Sequence, residues 1–351
     1  MAEFDGFLHS GADSTRRQFL RQLAGGAVSF ASVASLAGTT FGQQKTLAPV
    51  IVGAPFHIID TAPHVVAAKL GFFKEVGLTV QLKDIRTGAT VIESGLAGDV
   101  NVGNSNNISW IQAISKGIPQ VAFLQTAYYD AKHNVQGLLV RKTLSDKGEV
   151  KSPKDLKGKT FAVEDRGGWS EIITIEFLQS VGLKREDVRF AELDYPKQAA
   201  AFAGGSIDAA FIPDPLYTAS IQKGYAVGMR HPNGDRISAA LTIAKRWYGR
   251  EFYPIASTWT DRSFLEKNQD SIRAYYRAFK KAAEFIESHR DEAAKLISEY
   301  TRIELRVLSE VTWSGFDPAI PVDVLQKIAD KMADAGLIAK KLNIKDHVFV
   351  V

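Results

Sequence analysis

Cysteine is absent from this chain of 351 residues, which removes disulfides, thiol nucleophiles, iron–sulfur clusters and cysteine-ligated zinc together. It also removes lipid anchoring through an N-terminal lipobox cysteine. The seven histidines, His9, His57, His64, His133, His231, His289 and His347, show no H-x-x-x-H or comparable spacing, so no metal and no cofactor is expected. Charge of one sign is scarce. The net +4 is too small and too scattered to imply a nucleic-acid partner. No Ser-His-Asp set, P-loop or dinucleotide signature stands at a workable spacing, so the chain reads as a binder and not an enzyme. The weakly apolar run from Leu23 to Gly38 is rich in small residues and shorter than the about 20 strongly apolar residues that a bilayer span requires.

What is present begins at the N-terminus. Ser14-Thr15-Arg16-Arg17-Gln18-Phe19-Leu20-Arg21 leads into that uncharged run, the layout of a twin-arginine export signal. Residues 1–42 are therefore expected to be a signal peptide cleaved near Gly42, which places the mature protein in the periplasm. About 300 residues remain, enough for two ordinary domains.

Apolar periodicity then predicts strands at Val50–Ala54, Leu78–Lys83, Asp99–Gly103 and Gln120–Gln125, alternating with helices at Pro63–Gly71, Thr87–Leu96 and Ile108–Lys116. The same order restarts with strands Thr160–Val163, Val188–Ala191 and Ile207–Ile212 around helices Trp169–Val181 and Pro196–Ala203. Strands alternating with single helices imply parallel-type α/β sheets, and the restart implies two lobes. Lobe I is expected over 43–136 and 252–351, lobe II over 137–251. The stretches Thr126–Gln136 and Tyr248–Thr260 read as the connections between them. Helices Asn268–His289, Asp291–Tyr300, Ile303–Val311 and Val322–Ala335 follow, with Lys280, Lys281, Glu284 and Glu287 forming a solvated face.

Four motifs carry a resemblance. Ala67-Ala68-Lys69-Leu70-Gly71-Phe72-Phe73-Lys74-Glu75-Val76-Gly77-Leu78, Leu96-Ala97-Gly98-Asp99-Val100-Asn101-Val102-Gly103, Asp155-Leu156-Lys157-Gly158-Lys159 and Gly204-Gly205-Ser206-Ile207-Asp208-Ala209 with Asp214-Pro215 stand in that order. Together they resemble the solute-binding proteins of ABC importers for sulfonates, taurine, nitrate and thiamin-pyrimidine precursors. Asn101 departs from the usual Asp. The resemblance implies a two-lobed type II periplasmic binding fold, a small-molecule ligand in the cleft, permease subunits in the inner membrane as partners, and a monomer. Enzymes on this fold use a cysteine, absent here, or consume a histidine in intracellular chemistry, which export argues against.

Ligands of parallel α/β sheets sit beyond the carboxyl ends of the strands. That rule selects Phe56, His57 and Asp60 after the first strand, Thr87 after the second, and Asn104, Ser105 and Asn106 after the third. Tyr128, Tyr129 and Trp259 come from the inter-lobe connections, and Asp214 and Tyr217 from the end of a lobe II strand. Arg166, Gly167, Gly168, Trp169 and Ser170 form the sharpest group, because close-approaching glycines at a helix start suit an anion. In the resembling family this loop commonly binds the anionic head group, so an organic anion of sulfonate or aromatic carboxylate type is expected. Other readings stay open. Gly167-Gly168 also makes a plain turn with Arg166 paired to Glu164 or Asp165; Asn104-Ser105-Asn106 and Asp214 also serve as helix caps. Trp169 and Tyr128 fit either the cleft wall or the packing beside it, and a pyrimidine precursor or nitrate is the alternative ligand.

Overall fold

Val50, Ile51 and Val52 are β-branched, which favours extended backbone, and they open strand β1 (Val50–Ala54). The computed structural model describes residues 46–351; the export signal expected over 1–42 lies outside the described residues. The first half continues through α1 (Ala62–Lys69), β2 (Val80–Asp84), α2 (Gly88–Leu96), β3 (Val102–Asn106), α3 (Asn107–Ser115) and β4 (Gln120–Asp130). Next come β5 (Gln136–Arg141), β6 (Thr160–Val163), α4 (Trp169–Ser180), β7 (Arg189–Glu192), α5 (Tyr195–Gly204), β8 (Ala209–Pro213), α6 (Leu216–Gln222) and β9 (Ala226–Gly228). The chain closes with α7 (Ala239–Tyr248), β10 (Phe252–Asp261), α8 (Gln269–Ser288), α9 (Arg290–Thr301) and α10 (Val322–Asp334).

Two five-stranded sheets result, in the orders β2-β1-β3-β10-β4 and β7-β6-β8-β5-β9. They share one plan. Three parallel strands (β2-β1-β3, and β7-β6-β8) are followed by an antiparallel fourth, β10 in one sheet and β5 in the other. The chain enters the second sheet from β4 into β5 and returns from α7 into β10, so it passes between the sheets twice. Both sheets are mixed, with helices between their strands, which puts the chain in the α/β class.

Both antiparallel strands escape a sequence reading for a physical reason. Tyr253 through Thr260 are all buried, so β10 has no polar and apolar alternation to betray it. Pro254 argues against a central strand, and it is accommodated by register shifts between Pro254 and Ala256 and again between Ala256 and Ser257. The Tyr248–Thr260 stretch is thus mostly strand and not connection. Likewise β4 runs five residues past Gln125, and β5 begins at Gln136. The third strand starts three residues later than Asp99, since the Asn101 side chain accepts from Ile51 N at 2.8 Å and donates to Pro49 O at 3.1 Å, binding the turn that precedes β3. The expected helix Ile303–Val311 shortens to Leu305–Leu308.

The C-terminal helices cover the first sheet. In α8, Ile272, Tyr275, Phe279, Ala282 and Ile286 fall on one buried stripe, while Lys280, Lys281, Glu284 and Glu287 are exposed on the other side. Beneath this stripe lies His64, fully buried against Phe56, Tyr275 and Phe279. Burial pushes its pKa down to about 3, so it is a neutral ring, hydrogen-bonded through Nδ1 to the Tyr275 hydroxyl at 2.8 Å.

Candidate functional site

A cavity of about 40 Å³ lies where the carboxyl ends of strands from both sheets meet, the place that parallel α/β sheets reserve for ligands. The first sheet contributes Pro55, Ile58, Asp60, Gly88, Asn104, Ser105, Asn106, Tyr129, Ile255 and Ala256; the second contributes Gln136, Glu164, Trp169, Tyr195 and Pro213. Hydrogen bonds bridge the two sides beside it, the backbone Ile59 N donating to Asp214 O at 3.1 Å and the side-chain Gln112 Nε2 to Gly167 O at 3.0 Å. The volume holds two or three waters.

Six of the seventeen side chains expected from the sequence line this cavity: Asp60, Asn104, Ser105, Asn106, Tyr129 and Trp169. Asp60 is buried, its carboxylate accepting from the Tyr129 hydroxyl at 2.8 Å and from the Ser314 hydroxyl at 2.5 Å. Burial raises its pKa to about 6 against the pull of those two bonds. Asn104 donates to Thr126 Oγ1 at 2.5 Å, and Ser105 Oγ accepts from Trp259 Nε1 at 2.9 Å. Asn106 is also the N-cap of α3, accepting from Ser109 N at 2.8 Å. Trp169 packs on Tyr253 with ring centroids 5.0 Å apart.

The others lie elsewhere, each for a visible reason. Phe56 belongs to the core around His64 and Tyr300. His57 sits beside Asp84, whose carboxyl it holds below the usual range. Thr87 caps α2. Tyr128 and Tyr129 point to opposite faces of β4: Tyr129 reaches Asp60, whereas Tyr128 packs on His133 and Phe252. Trp259 is a core residue seated against Gly95 and Gly103. Tyr217 lies buried under the Arg236 guanidinium, 4.1 Å from the ring centroid. Asp214 has its oxygens occupied by Thr218 N and Oγ1, Arg236 Nη1 at 2.6 Å and Thr312 N at 3.0 Å.

The Arg166–Ser170 loop departs most from expectation. Arg166, Gly167 and Gly168 border a separate surface groove with Glu93, Gln112 and Lys116. Arg166 donates to Phe190 O at 3.2 Å, lies over the Phe190 ring, and has its Nε 3.4 Å from Glu171. Two donors at the helix start are taken by the chain's own carboxylates: Gly167 N donates to Glu171 Oε2 at 2.7 Å, and Ser170 N to Asp165 Oδ1 at 3.2 Å. Ser170 Oγ donates to the same Asp165 oxygen at 2.6 Å and accepts from Glu164 N at 2.8 Å. This helix start is an internally neutralised turn. The ion pair that holds Arg166 is with Glu171, neither of the acids considered from sequence.

Sequence reasoning missed Ile58, Gln136, Glu164, Tyr195 and Ile255 as lining residues. Glu164 follows β6 directly, so the strand-end rule reaches it, but the Gly-Gly pair beside it drew attention away. Burial, with Asp165 and Asp194 nearby, pushes its carboxyl well above the usual range. Among the described residues that line the cavity none is Lys, Arg or His.

Comparison with known proteins places this geometry. The family described as "NMT1/THI5 like" matches residues 58–293. A Bacillus subtilis protein named for binding aliphatic sulfonates is 26% identical over 321 residues, 88% of this chain and 87% of its own length. The taurine-binding periplasmic protein of Escherichia coli is 27% identical over 208 residues, 59% of this chain and 57% of its own. Among solved structures, the alkanesulfonate-binding protein SsuA from Xanthomonas axonopodis pv. citri bound to MOPS superposes with a TM-score of 0.68 at 18% identity, covering 87% of this chain and 99% of that one. The nitrate-binding protein NrtA from Synechocystis PCC 6803 gives 0.69 at 11% identity, covering 85% and 84%.

Proposed function

We propose that this chain, which belongs to the NMT1/THI5-like family, is the solute-binding component of an ABC importer and works in the periplasm. The observation that carries the reading is the cavity itself, walled by strand ends from two sheets that the chain links by only two passages. Two lobes, 43–136 with 252–351 and 137–251, then separate to admit a small solute and close over it, and the monomer presents its closed form to permease subunits. A cavity of about 40 Å³ has room for only about three waters, so a solute the size of taurine enters only through that opening. Export by the twin-arginine route fits Arg16 and Arg17. The protein binds and releases its solute unchanged, without metal or cofactor.

Small-angle scattering with and without solute tests the closure. Saturation with a compound that raises the melting temperature is expected to shrink the radius of gyration, and an identical scattering curve would refute a closing cleft. The sulfonates, taurine and nitrate in the names of the similar proteins are the first solutes to screen, together with pyrimidines. Ligand at about 100 times its dissociation constant adds about 2.7 kcal/mol of apparent stability. Changing Arg16 and Arg17 together to Lys is expected to hold the precursor in the cytoplasm; undiminished periplasmic yield would remove the twin-arginine assignment.

A further inference from the structure

We propose that the cleft takes an organic cation, a small nitrogen base whose ammonium or amidinium N–H groups face Asp60, Glu164 and Gln136, and not a sulfonate. This rests on the solute-binding reading and narrows it. The cavity wall carries two carboxyl side chains and, among the described residues that form it, no cationic one. An anion placed there would oppose the Asp60 carboxylate with no compensating cation among the described lining residues. Of the arginines in the surrounding loops, Arg86 is exposed and does not line the cavity, and two others are committed. Arg236 bonds Asp214 Oδ2 at 2.6 Å and Val135 O at 3.0 Å, and Arg166 is held by Phe190 and Glu171 outside the cavity.

The unspent charged group is a carboxyl, and an unspent amide oxygen stands beside it. The Glu164 carboxyl has no hydrogen-bond or ion-pair partner among the described residues, although its backbone N–H is bonded to Ser170. Gln136 lines the same cavity at 1% exposure, and its Oε1 has no partner. Asp60 accepts one bond on each oxygen, and each carboxylate oxygen has room for a second. The Asn104 amide is taken by Thr126 and Ser257 O, and Ser105 Oγ accepts from the Trp259 indole; the donors that the wall still offers, the Ser105 and Tyr195 hydroxyls and the Asn106 and Gln136 amides, are neutral groups. Aromatic faces at Trp169 and Tyr195 complete a surface that attracts cations. A buried polar atom left unpartnered is unfavourable, and an N–H-bearing cation satisfies Glu164, Gln136 and Asp60 together.

Titration calorimetry on the exported protein with isosteric probes tests this: benzamidinium and phenethylammonium against benzoate and benzenesulfonate, with taurine and nitrate alongside. A cationic probe is expected to bind about tenfold or more tighter than its anionic isostere. Glu164→Gln should weaken that cation by about 10- to 100-fold, the scale of one hydrogen bond to a charged group, while the melting temperature of the ligand-free protein holds or rises. Asp60→Asn is the second variant, expected to weaken the same probe. An anion that binds as tightly as the cations and contracts the protein would overturn the proposal and leave the solute-binding reading intact. Affinity for a cation unchanged in both variants would also overturn it. No binding by any probe of either sign, with scattering unaltered throughout, would overturn both.

Discussion

Removing the Asp214 carboxylate decides between two roles for a residue that sequence alone offers as a ligand contact. Asp214 is fully buried, and its partner Arg236 has a side chain 11% exposed with Nη1 2.6 Å from Oδ2. The same carboxylate holds Thr218 N and Oγ1 at the start of α6 and Thr312 N from the C-terminal segment. Asp214→Ala therefore strands a charge in a dry site and orphans three further donors. Breaking a buried pair from one side is worth about 3–5 kcal/mol, which for a chain of this size lowers the melting temperature by roughly 5–10 °C. Thermal and urea melts of Asp214→Ala, Arg236→Met and the double variant make the assay. If the network is structural, the double variant recovers about 2 kcal/mol or more of the summed losses. A melting temperature within about 2 °C of the wild type, with solute affinity lost, would show instead that Asp214 is a ligand group and that the hydrogen bonds drawn here contribute little.

Three other outcomes follow from single contacts. A Cβ at Gly103 would lie 2.2 Å from Trp259 Cζ2, so Gly103→Ala is expected to lose about 1–3 kcal/mol; Trp259→Phe should relieve part of the loss, and full stability in Gly103→Ala alone would contradict the packing. The carboxyl of Asp60, raised from 3.8 to about 6 by burial, binds its proton more tightly folded than unfolded, so its contribution favours folding below about pH 4 and declines as pH rises towards 6. That group accounts for about 3 kcal/mol, and urea melts from pH 3 to pH 7 should show the decline in the wild type and lose that part of it in Asp60→Asn; equal slopes would refute the assignment. Arg166→Ala, at a side chain 40% exposed, should change stability by less than about 1 kcal/mol and leave solute affinity unaltered, whereas a large affinity loss would restore this arginine to the site.

The fold was legible where a segment has one wet face and one dry face. Helix α8 shows its stripe of Ile272, Tyr275, Phe279 and Ile286 against exposed lysines and glutamates, and β1 announces itself through three consecutive β-branched residues. Legibility failed at the antiparallel strands, where burial on both faces erases the alternation: β10 reads as a loop with a proline in it until β3 and β4 are placed on either side. The site failed in a related way. The strand-end rule finds the right neighbourhood, and it brought Asp60, Asn104, Ser105, Asn106 and Trp169 to the cavity wall. It cannot see which of two adjacent residues faces inward: of the neighbours Tyr128 and Tyr129, Tyr129 lines the cavity. Nor can it see whether a binding feature is already occupied. Arg166, Gly167 and Ser170 are among the residues an anion site would use, but Glu171 in the first turn of α4 and Asp165 just before it engage Arg166 Nε, Gly167 N and Ser170 N from within the chain. Glu164 and Gln136 carried no motif and were passed over; they hold the unspent acceptors because no neighbour supplies a proton or a cation to them. What distinguishes a ligand-binding polar group from a structural one is the absence of an internal partner, and that is a property of the packed chain which no local pattern records.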